Sequence, residues 1–276
     1  MTLLVQLLAL FFGLAFGSFA NVIIYRTQID GANLRTPSQC LNCGARIRLL
    51  DNIPVVSWLL LVGKCRNCKA PISATYPAVE LFVASAFVLF VNWPHALAEQ
   101  IQVEGLLSNL FVAVALCGFT TVGVALAVID WRTFRLPNQL VSALYVVALA
   151  GFAASSLVSA EWSAFTRSAL AALASLALYG LIVLIAPRGM GIGDLKLSGA
   201  LGLFLGWFGW GTLFLGVLFS FILGAGFGLV RLAAKKTNRN SRMAFGPWML
   251  VGAFLAILFG EPLWSSYLDS LRNLIG

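Results

Sequence analysis

The chain has 276 residues, 60% of them hydrophobic and only 10% charged, with a mean hydropathy of +0.93. That balance excludes an ordinary soluble domain, where about 25% of residues are charged, and points to a protein solvated by lipid. A net charge of +8 invites a nucleic-acid reading, but no basic surface interleaved with aromatic residues accompanies it, and the basic residues fall in blocks between apolar runs, as membrane topology requires.

Apolar runs occupy residues 3–24, 78–93, 106–129, 140–158, 168–185, 195–208, 211–232 and 245–259. Set against the roughly 20 residues needed to cross hydrocarbon, they predict an all-α polytopic membrane protein with about eight transmembrane helices. The second and sixth runs are short and must be extended, tilted or sheltered by neighbours. The first helix takes residues 1–24, a small cytoplasmic module residues 25–77, and a transmembrane core residues 78–276. Ser18-Phe19-Ala20 resembles a signal-peptide cleavage site. However, no basic segment precedes the run, it continues to Ile24, and Arg26 follows it, as in an anchor with an external N-terminus.

Charge fixes the orientation. Arg26, Arg35, Arg46, Arg48, Lys64, Arg66 and Lys69 fall in the first loop, Arg132 and Arg135 in the third, Arg188 and Lys196 around the fifth, and Arg231, Lys235, Lys236, Arg239 and Arg242 in the seventh. The intervening loops hold only Arg167, and the C-terminal tail adds Arg272. Basic loops stay inside, so both termini are expected on the external side. Gly13-x-x-x-Gly17, Gly202-x-x-x-Gly206 and Gly224-x-x-x-Gly228 predict close helix packing.

The first loop carries Cys40-x-x-Cys43 and Cys65-x-x-Cys68. Two such knuckles bring four thiolates to one tetrahedral ion, so the spacing reads as a zinc site rather than two disulfides, which seldom persist in a reducing cytoplasm. With four sulfur ligands and no open position, the zinc is expected to be structural, folding a loop too small for its own core. Cys117 reads as a small buried hydrophobe. His95, the only histidine, lies in an external loop.

Two acids stand where lipid-embedded helices normally exclude them. Asp130 ends the run that points inward, and Asp194, preceded by Gly191-Ile192-Gly193, begins a run that points outward. Both therefore lie at similar depth on the cytoplasmic side. A pair sharing a site cannot cheaply carry two charges, so one carboxyl keeps a proton while the other acts as base, the arrangement that activates water against a peptide carbonyl. The pair titrates as a unit, which leaves the two roles unassigned. Gly191 and Gly193 let the backbone approach an extended substrate. Lys196 is expected to snorkel toward water. Glu80, placed at the start of the second run, is either a helix N-terminal charge or part of a second site. An ion-coupled transporter, with the aspartates as proton carriers, is the reading from a different class, but the external acids Glu99, Glu104 and Glu161 sit in loops with none midway.

In chain order the sequence holds Gly17-Ser18-Phe19 with Asn21, Tyr25-Arg26, the first cysteine knuckle, Asn52-Ile53-Pro54 with Ser57-Trp58, Gly63-Lys64 with the second knuckle, and Tyr76-Pro77 with Glu80. Asp130 with Pro137-Asn138, Gly189-Met190-Gly191-Ile192-Gly193-Asp194 with Lys196-Leu197, and Phe245-Gly246-Pro247 complete the series. This ordered set resembles the type IV prepilin peptidases, membrane aspartyl proteases of the G-x-G-D kind, over most of the chain. The resemblance implies a bacterial inner-membrane enzyme with Asp130 and Asp194 as the catalytic pair at the cytoplasmic face. It implies cleavage of the basic leaders of prepilins and pseudopilins, followed in many members by S-adenosylmethionine-dependent methylation of the new N-terminus. Retention of the cysteine loop favours the bifunctional form, with Glu80 and first-loop residues as suggested methyl-donor contacts. A peptidase-only relative acting on a preflagellin-like leader is the alternative within the same class.

Overall fold

Lipid offers no hydrogen bonds, so each long apolar run folds as a helix that satisfies its own backbone. The computed structural model describes residues 3–27, 38–92, 105–186, 190–234 and 243–275. Their helices are α1 (Leu3–Arg26), α2 (Val56–Leu60), α3 (Thr75–Asn92), α4 (Leu106–Thr133), α5 (Asn138–Ser159), α6 (Ser163–Ile185), α7 (Ile192–Phe208), α8 (Trp210–Ala233) and α9 (Gly246–Ile275), with a 3-10 turn at Leu49–Asn52. Among the described residues the only β-structure is two isolated antiparallel bridges, Gln39–Arg46 and Lys64–Pro71. Arg35, His95, Glu99, Glu104, Arg188, Lys235, Lys236, Arg239 and Arg242 lie outside the described residues.

The expected all-α polytopic fold holds, with adjustments. Seven helices among the described residues are long and apolar enough to cross a membrane. The remaining run, α7, has 17 residues and is sheltered: from Leu197 to Phe208 every residue is buried, against α5, α6, α8 and α9. The other short run is extended at its start, since α3 begins at Thr75. The last helix continues past the expected end at residue 259, through Pro262 to Ile275. Its extra turns are too polar to read as a span, yet Trp264 packs on Gly211 of α8 and holds them helical. Ser18-Phe19-Ala20 lies within unbroken α1.

The chain divides into two compact units. The first contains α1, the cysteine segment, α3 and residues 116–125 of α4; the second contains the rest of α4 and everything from α5 onward. Within the first, Gly13 and Gly17 press α1 against α3, and a Cβ on Gly17 would stand 2.7 Å from the Glu80 Cα. Within the second, Gly202 and Gly206 of α7 meet Ala171, Ala172 and Ser168 of α6, while Gly224 of α8 meets Phe245 and Trp248. The glycine pairs are thus helix contacts. Arg167, the basic residue that stood apart from the charge pattern, serves the fold. Its guanidinium donates to the carbonyls of Gly206 (2.9 Å) and Trp207 (2.6 Å), closing the C-terminus of α7.

Candidate functional site

The two knuckles of the first unit have the same backbone geometry. Cys40 N–H donates to Ala45 C=O (2.9 Å) and Gly44 N–H to Cys40 C=O (2.9 Å); Cys65 N–H donates to Ala70 C=O (2.8 Å) and Lys69 N–H to Cys65 C=O (3.0 Å). Gly44 and Lys69 occupy matching left-handed positions, φ 70° and 60°, a conformation natural to glycine and strained for lysine. The turns bring the four sulfurs within 4.8 Å of one another, and the Cys40 and Cys68 sulfurs stand 3.8 Å apart. Metal–sulfur bonds of about 2.3 Å in a tetrahedron put sulfurs roughly 3.8 Å apart, so the set fits a metal ion. The thiols are unequal: the Ala70 N–H, helped by the Asn42 amide, pulls Cys68 down to about 6. Beside the site, Arg66 grips Asp51 with both Nε (2.8 Å) and Nη2 (2.5 Å), which holds that carboxyl below the usual carboxylate range.

Between the knuckles and the ends of α1 and α3 lies a cavity of about 600 Å³, lined among others by Asn21, Tyr25, Arg26, Arg48, Trp58 and Glu80. Glu80 is not the N-terminal charge of its helix, because α3 starts five residues earlier. It is buried, and its Oε2 accepts the Val55 N–H at 2.7 Å. Val55 has φ 62°, an outlier for a β-branched residue that persists only where its surroundings enforce it. Glu80 supplies that enforcement and fixes the start of α2. Asn21 donates to Tyr76 C=O (3.0 Å), joining α1 to the start of α3, and the Trp58 indole donates to Ile72 C=O (3.1 Å), closing the loop on itself.

The second unit holds the aspartates. Asp130 is 5% exposed in the last turns of α4, and its Oδ2 accepts the N–H of Gly246, the first residue of α9, at 3.1 Å. Asp194 lies in the first turn of α7, and its Oδ2 accepts the Gly191 N–H at 3.1 Å. Each carboxylate therefore faces a helix N-terminus, whose free N–H groups suit an anion. Each keeps Oδ1 without a hydrogen-bond partner among the described residues. Leu136 joins the two halves: a Cβ on Gly193 would stand 3.3 Å from its Cβ, and a Cβ on Gly246 would stand 3.3 Å from its Cδ2.

Near Asp194, Lys196 is exposed; its Nζ donates to Asn138 Oδ1 at 3.0 Å, and Tyr145 Oη donates to the Lys196 carbonyl at 2.9 Å. The start of α7 is thereby tied to α5. A groove of about 440 Å³ is lined by Trp131, which follows Asp130 in the chain, with Phe134, Phe227, Arg231 and Met243, among others. Sequence reasoning named Asp130, Asp194, Gly191 and Gly193, but gave no role to Gly246 or Leu136. The signal for Gly246 was the Gly-Pro step before an apolar run, since proline marks a helix start and the N–H groups of a first turn have no partner within the helix.

Residues 11–93 match the model of the bacterial peptidase A24 N-terminal domain, and residues 117–229 that of the type IV leader peptidase family. The chain is 35% identical to a prepilin leader peptidase/N-methyltransferase of Stutzerimonas stutzeri, over 96% of this chain and 94% of the relative. Relatives of the same name are 33% identical in Aeromonas hydrophila, over 95% and 93% of the two chains, and 30% in Pseudomonas aeruginosa, over 93% and 91%. No solved structure matches the chain.

Proposed function

The chain is a membrane peptidase of the type IV leader peptidase family, and from that premise we propose that it removes the leaders of type IV prepilins and pseudopilins with Asp130 and Asp194 as its catalytic pair. The observation that supports this reading is that Gly193, next to Asp194, and Gly246, which holds Asp130, both pack on Leu136, while each carboxylate has one oxygen held by a glycine N–H and no partner on the other among the described residues. One free Oδ1 takes a proton from water, whose oxygen attacks the scissile carbonyl; the protonated partner donates to the developing oxyanion. Collapse of the tetrahedral intermediate breaks the C–N bond and passes a proton to the departing amine. The products are the leader's C-terminal carboxyl and a new N-terminus on the apolar segment. The groove that contains Trp131 is aromatic, with Arg231 as its cation among the described residues, which suits the apolar side of the cleaved bond better than a basic leader. Charge placement orients the pair to the cytoplasm of the bacterial inner membrane, with both termini outside.

The second activity is N-methylation of the new N-terminus, with S-adenosylmethionine as methyl donor. Its proposed site is the cavity in the first unit, whose volume suits a cofactor and whose walls combine Trp58 and Tyr25 with polar groups. Glu80 presents a carboxylate there for the donor's cationic end, while Trp58 and Tyr25 offer faces for stacking. Bound donor would supply an electrophilic methyl group. The ion held by Cys40, Cys43, Cys65 and Cys68 is proposed to be zinc, serving to fold the loop that walls this cavity.

The test is mass spectrometry of a model prepilin incubated with the purified enzyme, with and without S-adenosylmethionine. Leader loss plus one donor-dependent methyl is expected. Leader loss alone would remove the methyltransferase half, and an intact substrate with folded enzyme would overturn the choice of substrate.

A further inference from the structure

The loop between α1 and α3 turns a cluster of leucines outward. Leu49 is 91% exposed, Leu50 77%, Leu59 61%, Leu60 77% and Val62 76%, and neither the 3-10 turn nor α2 has a single buried residue. Side chains like these, clustered on one small module, mark an interaction surface when water would otherwise cover them. Exposed Arg46, Arg48 and Lys64 flank them in the chain.

The depth of this cluster says what covers it. Gly17 of α1 is level with Glu80 of α3, since a Cβ on Gly17 would stand 2.7 Å from the Glu80 Cα. Nine residues, roughly 13 Å of helix, separate Gly17 from the end of α1 at Arg26. The Glu80 carboxylate reaches back toward the N-terminus of its helix, as helical side chains do, and grips the Val55 N–H. Allowing about 4 Å for that reach, α2 begins roughly 9 Å inside the end of α1. With 24 residues, α1 is roughly 36 Å long, against about 30 Å of hydrocarbon. Such a helix overhangs the hydrocarbon by about 3 Å at each end, so a segment held about 9 Å inside its end lies about 6 Å below the headgroup boundary, the depth of an interfacial segment's apolar face.

We propose that the Leu49–Asn52 turn and α2 form a wedge in the membrane interface, with Leu49, Leu50, Leu59 and Leu60 among the acyl chains and Arg46, Arg48 and Lys64 on anionic headgroups. The pattern of exposed leucines edged by guanidinium and ammonium groups is that of an interfacial segment. A lipid surface also accounts for why a module with so little core leaves these leucines out. The wedge stands independently of the proteolytic and methyl-transfer readings, since it rests on contacts within the first unit alone.

The experiment uses the unaltered full chain in vesicles of phosphatidylethanolamine and phosphatidylglycerol doped with a phospholipid bearing a diazirine in its acyl chain. After irradiation and proteolysis, label is mapped by mass spectrometry. Peptides covering residues 49–60 are expected to carry label within a few-fold of the exposed face of α1 around Phe12. Replacing phosphatidylglycerol with phosphatidylcholine should lower their label several-fold while leaving α1 unchanged. Label on α1 with none on residues 49–60 would overturn the proposal, as would crosslinking of this segment to a second copy in its place. The Leu59→Asp, Leu60→Asp double variant should lose the label while retaining its four-sulfur metal, which separates insertion from folding of the module.

Discussion

The two units hold their candidate sites by opposite means. The first builds its site from a loop: metal knuckles, a strained Val55 held by Glu80, and side-chain bonds to the helices around a cavity of about 600 Å³. The second builds its site from helix ends, where glycines let backbones close in and one N–H holds each aspartate. A loop site depends on ligands and side chains, whereas a helix-end site depends on packing that no single ligand controls. Damage to one should therefore leave the other working.

The largest effect is expected from Asp130→Asn or Asp194→Asn. Either change removes a group that must gain or lose a proton, and leader cleavage should fall by about 10³-fold or more, read by mass spectrometry of a prepilin. Metal content should be unchanged, because the cysteines lie in the other unit. Full cleavage by either variant would remove the pair from the mechanism. A smaller loss is expected from Gly246→Ala, whose Cβ would stand 2.7 Å from Asp130 Oδ2. The carboxylate must shift, and a misplacement of this kind costs about 10²-fold.

The first unit is probed by Cys40→Ser with Cys43→Ser. Loss of metal, read by elemental analysis, should lower methylation at least about tenfold, the scale of a disturbed metal shell, while cleavage changes only a few-fold. Equal loss of both activities would mean the units are not separable. Glu80 sharpens the contrast. Glu80→Gln keeps an acceptor for the Val55 N–H but removes the charge, so methylation should weaken through a higher KM for S-adenosylmethionine with the metal retained. Glu80→Ala removes the acceptor as well and should also loosen α2. If the glutamine variant methylates with an unchanged KM, Glu80 serves the fold alone.

How legible each site was follows from the same contrast. The cysteine spacing announced its cluster because the knuckle is local: each pair closes its own turn within six residues, at Cys40–Ala45 and Cys65–Ala70. Asp130 and Asp194 read as a pair because the charge pattern predicts an inward helix end and an outward helix start at one depth. Gly191, next to Asp194 in the chain, was also legible, but the partner that holds Asp130 was not. Gly246 is 116 positions from Asp130, and nothing in composition or period links the two. Helix ends were misjudged where apolarity and helicity part company. The polar last turns of α9 remain helical through packing of Trp264 on Gly211, and α7 can be short because its neighbours replace the lipid. Glu80 was placed at a helix start because Tyr76 and Pro77 read as loop, although proline in a first turn is compatible with a helix.

Arg167 offers the mildest test, at the end of α7 away from Asp194. Its guanidinium satisfies two carbonyls that the helix leaves unpaired, and a charge-assisted bond of this kind exceeds a neutral one. Arg167→Met keeps much of the apolar stem but leaves the Gly206 and Trp207 carbonyls without their donor. The loss should lower the thermal midpoint in detergent by a few degrees, about the scale of one such bond. Arg167→Lys should recover only part of it, since an ammonium is a point donor that cannot reproduce the two-nitrogen fork. Cleavage at low temperature should stay close to wild type in both variants. A loss of activity larger than the loss of stability would mean that the far end of α7 helps set the position of Asp194, and that a helix-end site is governed along the whole length of its helix.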